Sequence, residues 1–296
     1  MDNHAGNLLK CCSTNYLAGL IDSDFGVYIH KFFPRGKLQL RPTIQFVSAN
    51  KDIIEVLHQV FKSVNINHHI AHRKGTVSRD KKELTISRLS KCRDFSELYK
   101  ASCVVRRGQL ELISKYCANR LFMVDNYGWK QNNTPYTKYQ MTLYDELSFL
   151  NSNYNKDYGF RNRTLSWLAG FIDGDGSFCF VVTNKNRIIP TLDIITGSDT
   201  CLANLIEIFD AAGIKYYIRK SPSKATKRIK TNKIYNIYIR SFNSLFKISN
   251  LLKDKLIIKH QQCKNIIDYI NLCNECRSIT YTKSDIVCRN KILNTK

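Results

Sequence analysis

Acidic residues are scarce in this chain: 24 aspartates and glutamates stand against 46 lysines and arginines, a formal charge of +22. Such an excess makes a polyanion the expected partner. No run of 18 apolar residues is present, and no cationic stretch leads into a short apolar core. Neither a membrane-spanning helix nor an export signal is therefore expected, and nucleic acid ranks ahead of a membrane surface. Proline is also rare, with five residues, while 43% of the chain is hydrophobic and 11% aromatic. That composition excludes a disordered, low-complexity chain and indicates folded domains, one to three of them over 296 residues. The eleven cysteines are odd in number and scattered, which excludes a disulfide framework and suits reduced cysteines acting as small hydrophobes. Cys263, Cys273, Cys276 and Cys288 are the densest group. Cys273 and Cys276 have the spacing of half a zinc site, but the neighbouring IIDYINL reads as a packed helix.

What the sequence does contain is a repeat. Residues 16–26 read YLAGLIDSDFG, and residues 167–178 read WLAGFIDGDGSF. The similarity extends past these strings. Each is followed by strand-like runs, VYIHKFF with LQLRPTIQFV and FCFVV with TLDIITG. Next come helix-like stretches, DIIEVLHQVFKSVNI and TCLANLIEIFDAAGI, with apolar residues at three- and four-residue intervals. Basic β-rich segments follow, then helices. The shared order is helix, two strands, helix, two strands, helix. The division expected is a lead-in over 1–12, a first domain over 13–150, a polar connector over 151–163, a second domain over 164–276 and a tail over 277–296.

Within each repeated string the small residues carry the packing argument. A four-residue step joins Gly19 to Ser23 and Gly170 to Gly174, and glycine inside a helix costs about 1 kcal/mol relative to alanine. Close approach of a second backbone offsets that cost, and the other copy is the natural partner. Two helices side by side, C-terminal ends together, then place Asp24 and Asp175 where both macrodipoles disfavour a carboxylate. A divalent cation resolves the conflict, since Mg²⁺ takes carboxylate, carbonyl, water and phosphate oxygens. Asp22 and Asp173 lie two residues earlier and cannot share that face. They are expected to accept hydrogen bonds from nearby amides. Helix termination and solvated turns are the plain alternative for all four acids, and its weight falls because the pattern occurs twice.

The motifs LAGLIDSD at 17–24 and LAGFIDGDGSF at 168–178, within a repeat spanning residues 13–272, resemble the LAGLIDADG homing endonucleases of the single-chain, two-motif kind. The resemblance implies an α+β fold: two pseudo-symmetric αββαββα domains whose four-stranded antiparallel sheets form a DNA-binding saddle, with the motif helices as their interface. It implies that Asp24 and Asp175 coordinate Mg²⁺ or Mn²⁺, with Ser23 and Gly174 supplying backbone carbonyls nearby, and that Asp22 and Asp173 are structural. In the first copy Phe25 stands where the family usually has glycine. A basic residue near the scissile phosphate is also implied. KLIIKHQQC nominates Lys259, and the parallel of LISKYC with LIIKHQ nominates Lys115, with Arg106 and Arg107 as competitors. For a residue that orders water, Asn50 or Ala49 and Ser198 or Gly197 are the candidates.

Basic strands and loops complete the expected DNA surface. Arg35, Lys37, Gln39, Arg41 and Gln45 lie in a first-half segment without acids, followed by Arg73, Lys74 and Arg79. The second half adds Lys224, Lys227, Arg228, Lys230, Lys233 and Arg240. Arginine and glutamine can read purine edges in the major groove, while most cations position phosphates. The expected activity is cleavage of both strands of a long, asymmetric DNA duplex across the minor groove by a monomer. The resemblance implies 5′-phosphate and 3′-hydroxyl products with short 3′ overhangs. Binding of intron RNA as a splicing maturase and noncatalytic DNA regulation are the alternatives, and an organelle, mitochondrion or chloroplast, is the expected compartment.

Overall fold

The computed structural model describes residues 12–73, 80–127, 136–153, 158–182, 188–222 and 233–275. Two units of the same order follow one another. In the first, helix α1 (Thr14–Asp24) leads into β1 (Phe25–Phe32), β2 (Gln39–Ser48), α2 (Lys51–Ser63), β3 (His69–Arg73), β4 (Lys81–Ile86) and α3 (Leu89–Tyr99), with α4 (Arg107–Tyr127) and α5 (Lys138–Ser152) behind. In the second, α6 (Leu165–Asp175) leads into β5 (Gly176–Val182), β6 (Ile188–Thr196), α7 (Asp199–Ala211), β7 (Tyr217–Pro222), β8 (Lys233–Ile239), α8 (Phe242–Leu252) and α9 (His260–Glu275). Each unit holds one four-stranded antiparallel sheet, ordered β1-β2-β4-β3 and β5-β6-β8-β7. The fold is thus the α+β arrangement that the repeat implies.

The two copies are built from matching local devices. Ser13 caps α1 by accepting from the Tyr16 amide at 3.2 Å, and Thr164 caps α6 by accepting from the Trp167 amide at the same distance. Both motif helices end alike, with the amides of Phe25 and Gly176 donating to the carbonyls of Ile21 and Ile172. Phe25 adopts ordinary extended backbone, so no glycine is needed there. Its ring instead fills the first core, 4.9 Å from Phe46 and 6.0 Å from Phe95 between centroids. After α2 and α7 the chain turns through a left-handed residue, Asn65 in one half and Gly213 in the other. The amides of Ile66 and Ile214 then return to the carbonyls of Phe61 and Phe209, which closes each helix in a Schellman turn.

Helices α1 and α6 pack against each other along their length. Residues 16–22 and 167–173 are buried on every side, because each helix faces its twin and its own unit at once. A methyl group at Gly19 would lie 2.0 Å from the Trp167 carbonyl oxygen, and one at Gly170 would lie 1.9 Å from that of Tyr16. Backbone therefore touches backbone at both places, and only glycine fits. Residues 158–164 run back across this interface. Asn162 donates to Asn15 and to the Ser102 carbonyl, and Arg161 and Arg163 both pair with Glu207. Helix α5 reaches Ser152, so the beginning of the expected connector is helical. No disulfide joins any cysteine among the described residues, and no described helix is long and apolar enough to cross a membrane. Cys276 and Cys288 lie outside the described residues.

Candidate active site at the paired helix ends

The parallel packing of α1 and α6 brings their C-termini together. A methyl group built on Gly174 would lie 2.0 Å from Ser23 Oγ and 2.9 Å from Asp24 Oδ2. The Asp24 carboxylate therefore sits over the residue that precedes Asp175. Both acids are solvent-accessible at the mouth of the junction. Partial burial and the neighbouring charge of Asp24 push the Asp175 carboxyl up to about 7, against the pull of Lys259 and Arg106. Burial raises Asp24 as well, and Lys259 opposes it. Two carboxylates are held where they repel each other and face two negative helix ends.

Asp22 and Asp173 occupy a different environment. Each is buried and accepts three successive main-chain amides. Val104, Val105 and Arg106 donate to Asp22 at 2.6, 2.9 and 2.7 Å. Ile257, Ile258 and Lys259 donate to Asp173 at 2.7, 3.1 and 2.8 Å. The fourth donor crosses the interface. Trp167 Nε1 reaches Asp22 at 2.8 Å, and the Tyr16 hydroxyl reaches Asp173 at 2.7 Å. Each acid thus ties its own helix to the start of a later helix and to an aromatic of the other half. Burial pushes Asp22 up to about 6, with these hydrogen bonds working against the rise, and acts in the same direction on Asp173.

This double clamp sets the register between the halves: Val104-Val105-Arg106 stands where Ile257-Ile258-Lys259 stands. The two cations that follow face the paired acids. Lys259 Nζ donates to the carbonyls of Ile172 and Gly174, both at 2.8 Å, so it neutralises the C-terminus of α6 directly. Burial lowers its pKa, while Asp173, Asp24 and Asp175 raise it. Arg106 Nε is buried with no hydrogen-bond partner. Together with Asp175, Ser23, Gly197 and Ser198 it borders a cleft of about 300 Å³.

Lys115 is not part of this cluster. It is exposed on the interior turns of α4, in a groove with Glu111, Asp145 and Glu146, and Arg106 takes the place that matches Lys259. Arg107 is engaged elsewhere, bridging Glu111 at 3.1 Å and lying 4.5 Å over the Phe160 ring. Asn50 and Ser198 serve as helix caps, accepting from Asp52 and Ile53 in one half and from Cys201 in the other. Ser23 Oγ donates to the Leu20 carbonyl, and the Gly174 carbonyl is taken by Lys259.

On each sheet one face packs on helices and the other meets solvent. Gln39, Arg41 and Gln45 lie on the solvent face of β2, with Arg41 opposite His30 and Gln45 opposite Gly26. Gln45 donates to Glu83 at 2.7 Å, and Arg73 also pairs with Glu83. These two expected DNA-binding residues therefore share one carboxylate. Arg35 and Lys37 are exposed in the β1–β2 turn, where Arg35 adopts a positive φ of 53°. Lys233 begins β8, and the Arg240 guanidinium lies 4.5 Å over the Tyr238 ring. Lys74, Arg79, Lys224, Lys227, Arg228 and Lys230 lie outside the described residues. Several side chains that sequence reasoning passed over share these faces: Tyr28, His30 and His69 in the first, Ile195, Tyr217 and Arg219 in the second. Their period-two placement on the strands was the available signal.

No protein-family model matches the chain, and no curated protein matches it by sequence. Solved structures do match its fold. The LAGLIDADG homing endonuclease I-GzeII in complex with its DNA target aligns at 16% identity with a TM-score of 0.69, covering 95% of this chain and 96% of that one. I-SmaMI, bound to an uncleaved DNA target in the presence of calcium ions, aligns at 14% identity and a TM-score of 0.69 over 95% and 97%. The LAGLIDADG meganuclease I-CpaMI bound to uncleaved DNA aligns at 15% and 0.64 over 95% and 97%. The chain shares the saddle-like fold of these proteins over 95% of its length.

Proposed function

We propose that this chain is a site-specific endonuclease that binds a long, asymmetric DNA duplex as a monomer and hydrolyses one phosphodiester in each strand across the minor groove. The observation that carries the reading is the seating of Asp24 over Gly174, next to Asp175, at the joined ends of two helices in a chain of charge +22. A basic protein that keeps two carboxylates in mutual repulsion is suited to holding divalent cations. The two carboxylates suit a hard cation such as Mg²⁺ or Mn²⁺, with the Ser23 carbonyl as a further candidate donor, whereas the Gly174 carbonyl accepts from Lys259. No group of three or more histidine, cysteine or acidic side chains placed to hold a metal ion occurs among the described residues. When bound, such ions supply an acidified water and neutralise charge on the leaving oxygen.

The chain's own residues do the rest. Asp24 and Asp175 each anchor one strand's reaction centre. Lys259 in the second half and Arg106 in the first present cations that stabilise charge developing on the attacked phosphate. Asp22 and Asp173 hold the turns that carry those cations and touch nothing that reacts. The solvent faces of the two sheets, with the loops between their strands, would lie in the major groove on either side and supply the readers. The products would be 5′-phosphate and 3′-hydroxyl ends with short 3′ overhangs. Cleavage selection from a randomised duplex library, with Mg²⁺ and with chelator, tests the reading. The expected result is one asymmetric consensus cut only with metal, with Asp24→Asn and Asp175→Asn each unable to make the double-strand break. Full double-strand cutting by both variants would reject it.

A further inference from the structure

Four of the seven histidines fall between positions 58 and 72, and the turn from α2 into β3 brings two of them together. His68 Nδ1 lies 2.9 Å from the Ile66 carbonyl oxygen. A carbonyl can only accept, so this nitrogen carries the proton. Its Nε2 is then a lone pair, and His58 Nδ1 donates to it at 2.7 Å. The two rings stand nearly perpendicular, at 81° with centroids 4.9 Å apart, and the Phe61 ring meets His68 edge-on at 5.6 Å. Both imidazoles remain partly exposed.

The second unit shows that the fold does not require this pair. With Asn65 matched to Gly213 and Ile66 to Ile214, His58 corresponds to Ile206, Phe61 to Phe209 and His68 to Tyr216. Tyr216 packs on Phe209 at 5.7 Å, as His68 packs on Phe61, and its hydroxyl donates to Asp210 in the last turn of α7 at 3.1 Å. One ring against one phenylalanine is thus enough to close the corner. The first unit adds a second imidazole where an isoleucine serves in the other, and it aims nitrogen at nitrogen.

The geometry points to a binding site for a divalent transition metal at this corner, with His58 Nδ1 and His68 Nε2 as its protein ligands and water in the remaining positions. The anchor on the Ile66 carbonyl is what a ligating histidine needs, because it fixes the tautomer and aims the free nitrogen. The metal takes the place of the shared proton, which moves to His58 Nε2, so the exchange balances within the pair. Cis nitrogens lie about 2.8 Å apart on a tetragonal ion and about 3.3 Å apart on a tetrahedral one. The observed 2.7 Å favours the first. His58 is tied by no other hydrogen bond, so its ring can swing until both lone pairs converge. Nickel(II) and copper(II) are therefore expected to bind more tightly than zinc, and Mg²⁺, which takes oxygen ligands, to compete little. The bound ion ties α2 to the edge strand β3, whose Arg73 pairs with Glu83. The site shares no residue with the paired acids and does not rest on the endonuclease reading.

The test is a titration of the full-length protein with Ni²⁺ in excess Mg²⁺, which competes for carboxylates but not for imidazoles. The expected result is a saturable rise in melting temperature, with slower amide exchange along His69–Arg73. His58→Ile and His68→Tyr copy the residues of the second unit, so the corner still closes, and each should weaken nickel binding by about tenfold or more. Asp175→Asn should keep the full response; its loss there would assign the nickel to the paired acids and overturn the site. His69→Gln should keep it too, and a loss in that variant would reject the His58–His68 pair as the ligand set. A melting temperature that does not respond to nickel, or an equal response in the wild type and both corner variants, would overturn the proposal. Tighter binding of zinc than of nickel would reject the tetragonal geometry.

Discussion

Gly170→Ala probes the contact on which the candidate site depends. The added methyl would lie 1.9 Å from the Tyr16 carbonyl oxygen, 2.8 Å from its carbon and 3.0 Å from the Leu20 nitrogen. Carbon–oxygen contacts of this kind settle near 3.3 Å, so the helices must part by roughly 1.4 Å. All three obstructing atoms are main chain, and no rotamer change can remove them. Overpacking costs about 1–3 kcal/mol, and a rigid obstacle belongs at the upper end. Alanine's better helix propensity returns up to about 1 kcal/mol. The net expectation is a loss of about 2 kcal/mol, read as a lower urea midpoint at unchanged slope. Gly19→Ala meets the Trp167 carbonyl oxygen at 2.0 Å, and should cost about the same. The double variant supplies the sharper test. Once one methyl has parted the helices, the second finds space already made, so the two costs should fall well short of additive. Wild-type stability in either single variant, or full additivity in the double, would refute close backbone packing of α1 on α6.

Three further expectations follow from the acids and cations. Asp22→Asn replaces a carboxylate that accepts four donors with an amide whose NH₂ must face N–H groups, at a cost of about 2–4 kcal/mol; Trp167→Phe removes one of those donors and should cost less, about 1–2 kcal/mol, both measured by urea unfolding. Asp175 has a folded pKa raised from 3.8 to about 7, so its contribution to stability is full below the unfolded value and is lost as pH rises through about 7. In chelator, Asp175→Asn should therefore gain in melting temperature over the wild type between about pH 5 and pH 8, and a constant difference across that range would exclude the upward shift that burial and Asp24 produce. Arg106→Ala should slow the cutting of one strand by about a hundredfold, so that supercoiled target accumulates as nicked circle, whereas Lys115→Ala should cut both strands at the wild-type rate.

The interior was legible in the sequence because it is symmetric. Two strings separated by half the chain carry the same small residues, and a pair of identical helices can hide such residues only against each other. Gly19 and Gly170 therefore announced the interface. Phe25 shows the limit of pattern matching: glycine is usual after the motif acid, yet extended backbone at that point admits any residue whose side chain has a core to enter. The first-half cation was obscured for a related reason. LISK and LIIK are alike as strings, but they align the interior of α4 with the start of α9. The informative likeness was Val104-Val105-Arg106 with Ile257-Ile258-Lys259, two β-branched residues and then a cation. What binds the register is the three amides on each buried acid, and main-chain amides leave no trace in a sequence.

The solvent faces have diverged where the interior has not, and that contrast bears on the target. In the first half Gln45, Glu83 and Arg73 form a polar group on the sheet, with Thr85 donating to the same carboxylate at 3.0 Å. In the second, the matching surface carries Asp193, Arg219 and Asn236 together with exposed aromatic and apolar groups: Tyr217 stacks on Tyr238 at 6.5 Å, and Ile195 is 47% exposed. Polar groups discriminate base edges by hydrogen bonding, whereas exposed tyrosine and isoleucine suit thymine methyl groups and sugar contacts. Two such surfaces joined through one rigid helix pair cannot read the two arms of a palindrome equally. A selected consensus should therefore show unlike half-sites, and exchanging them should abolish cutting.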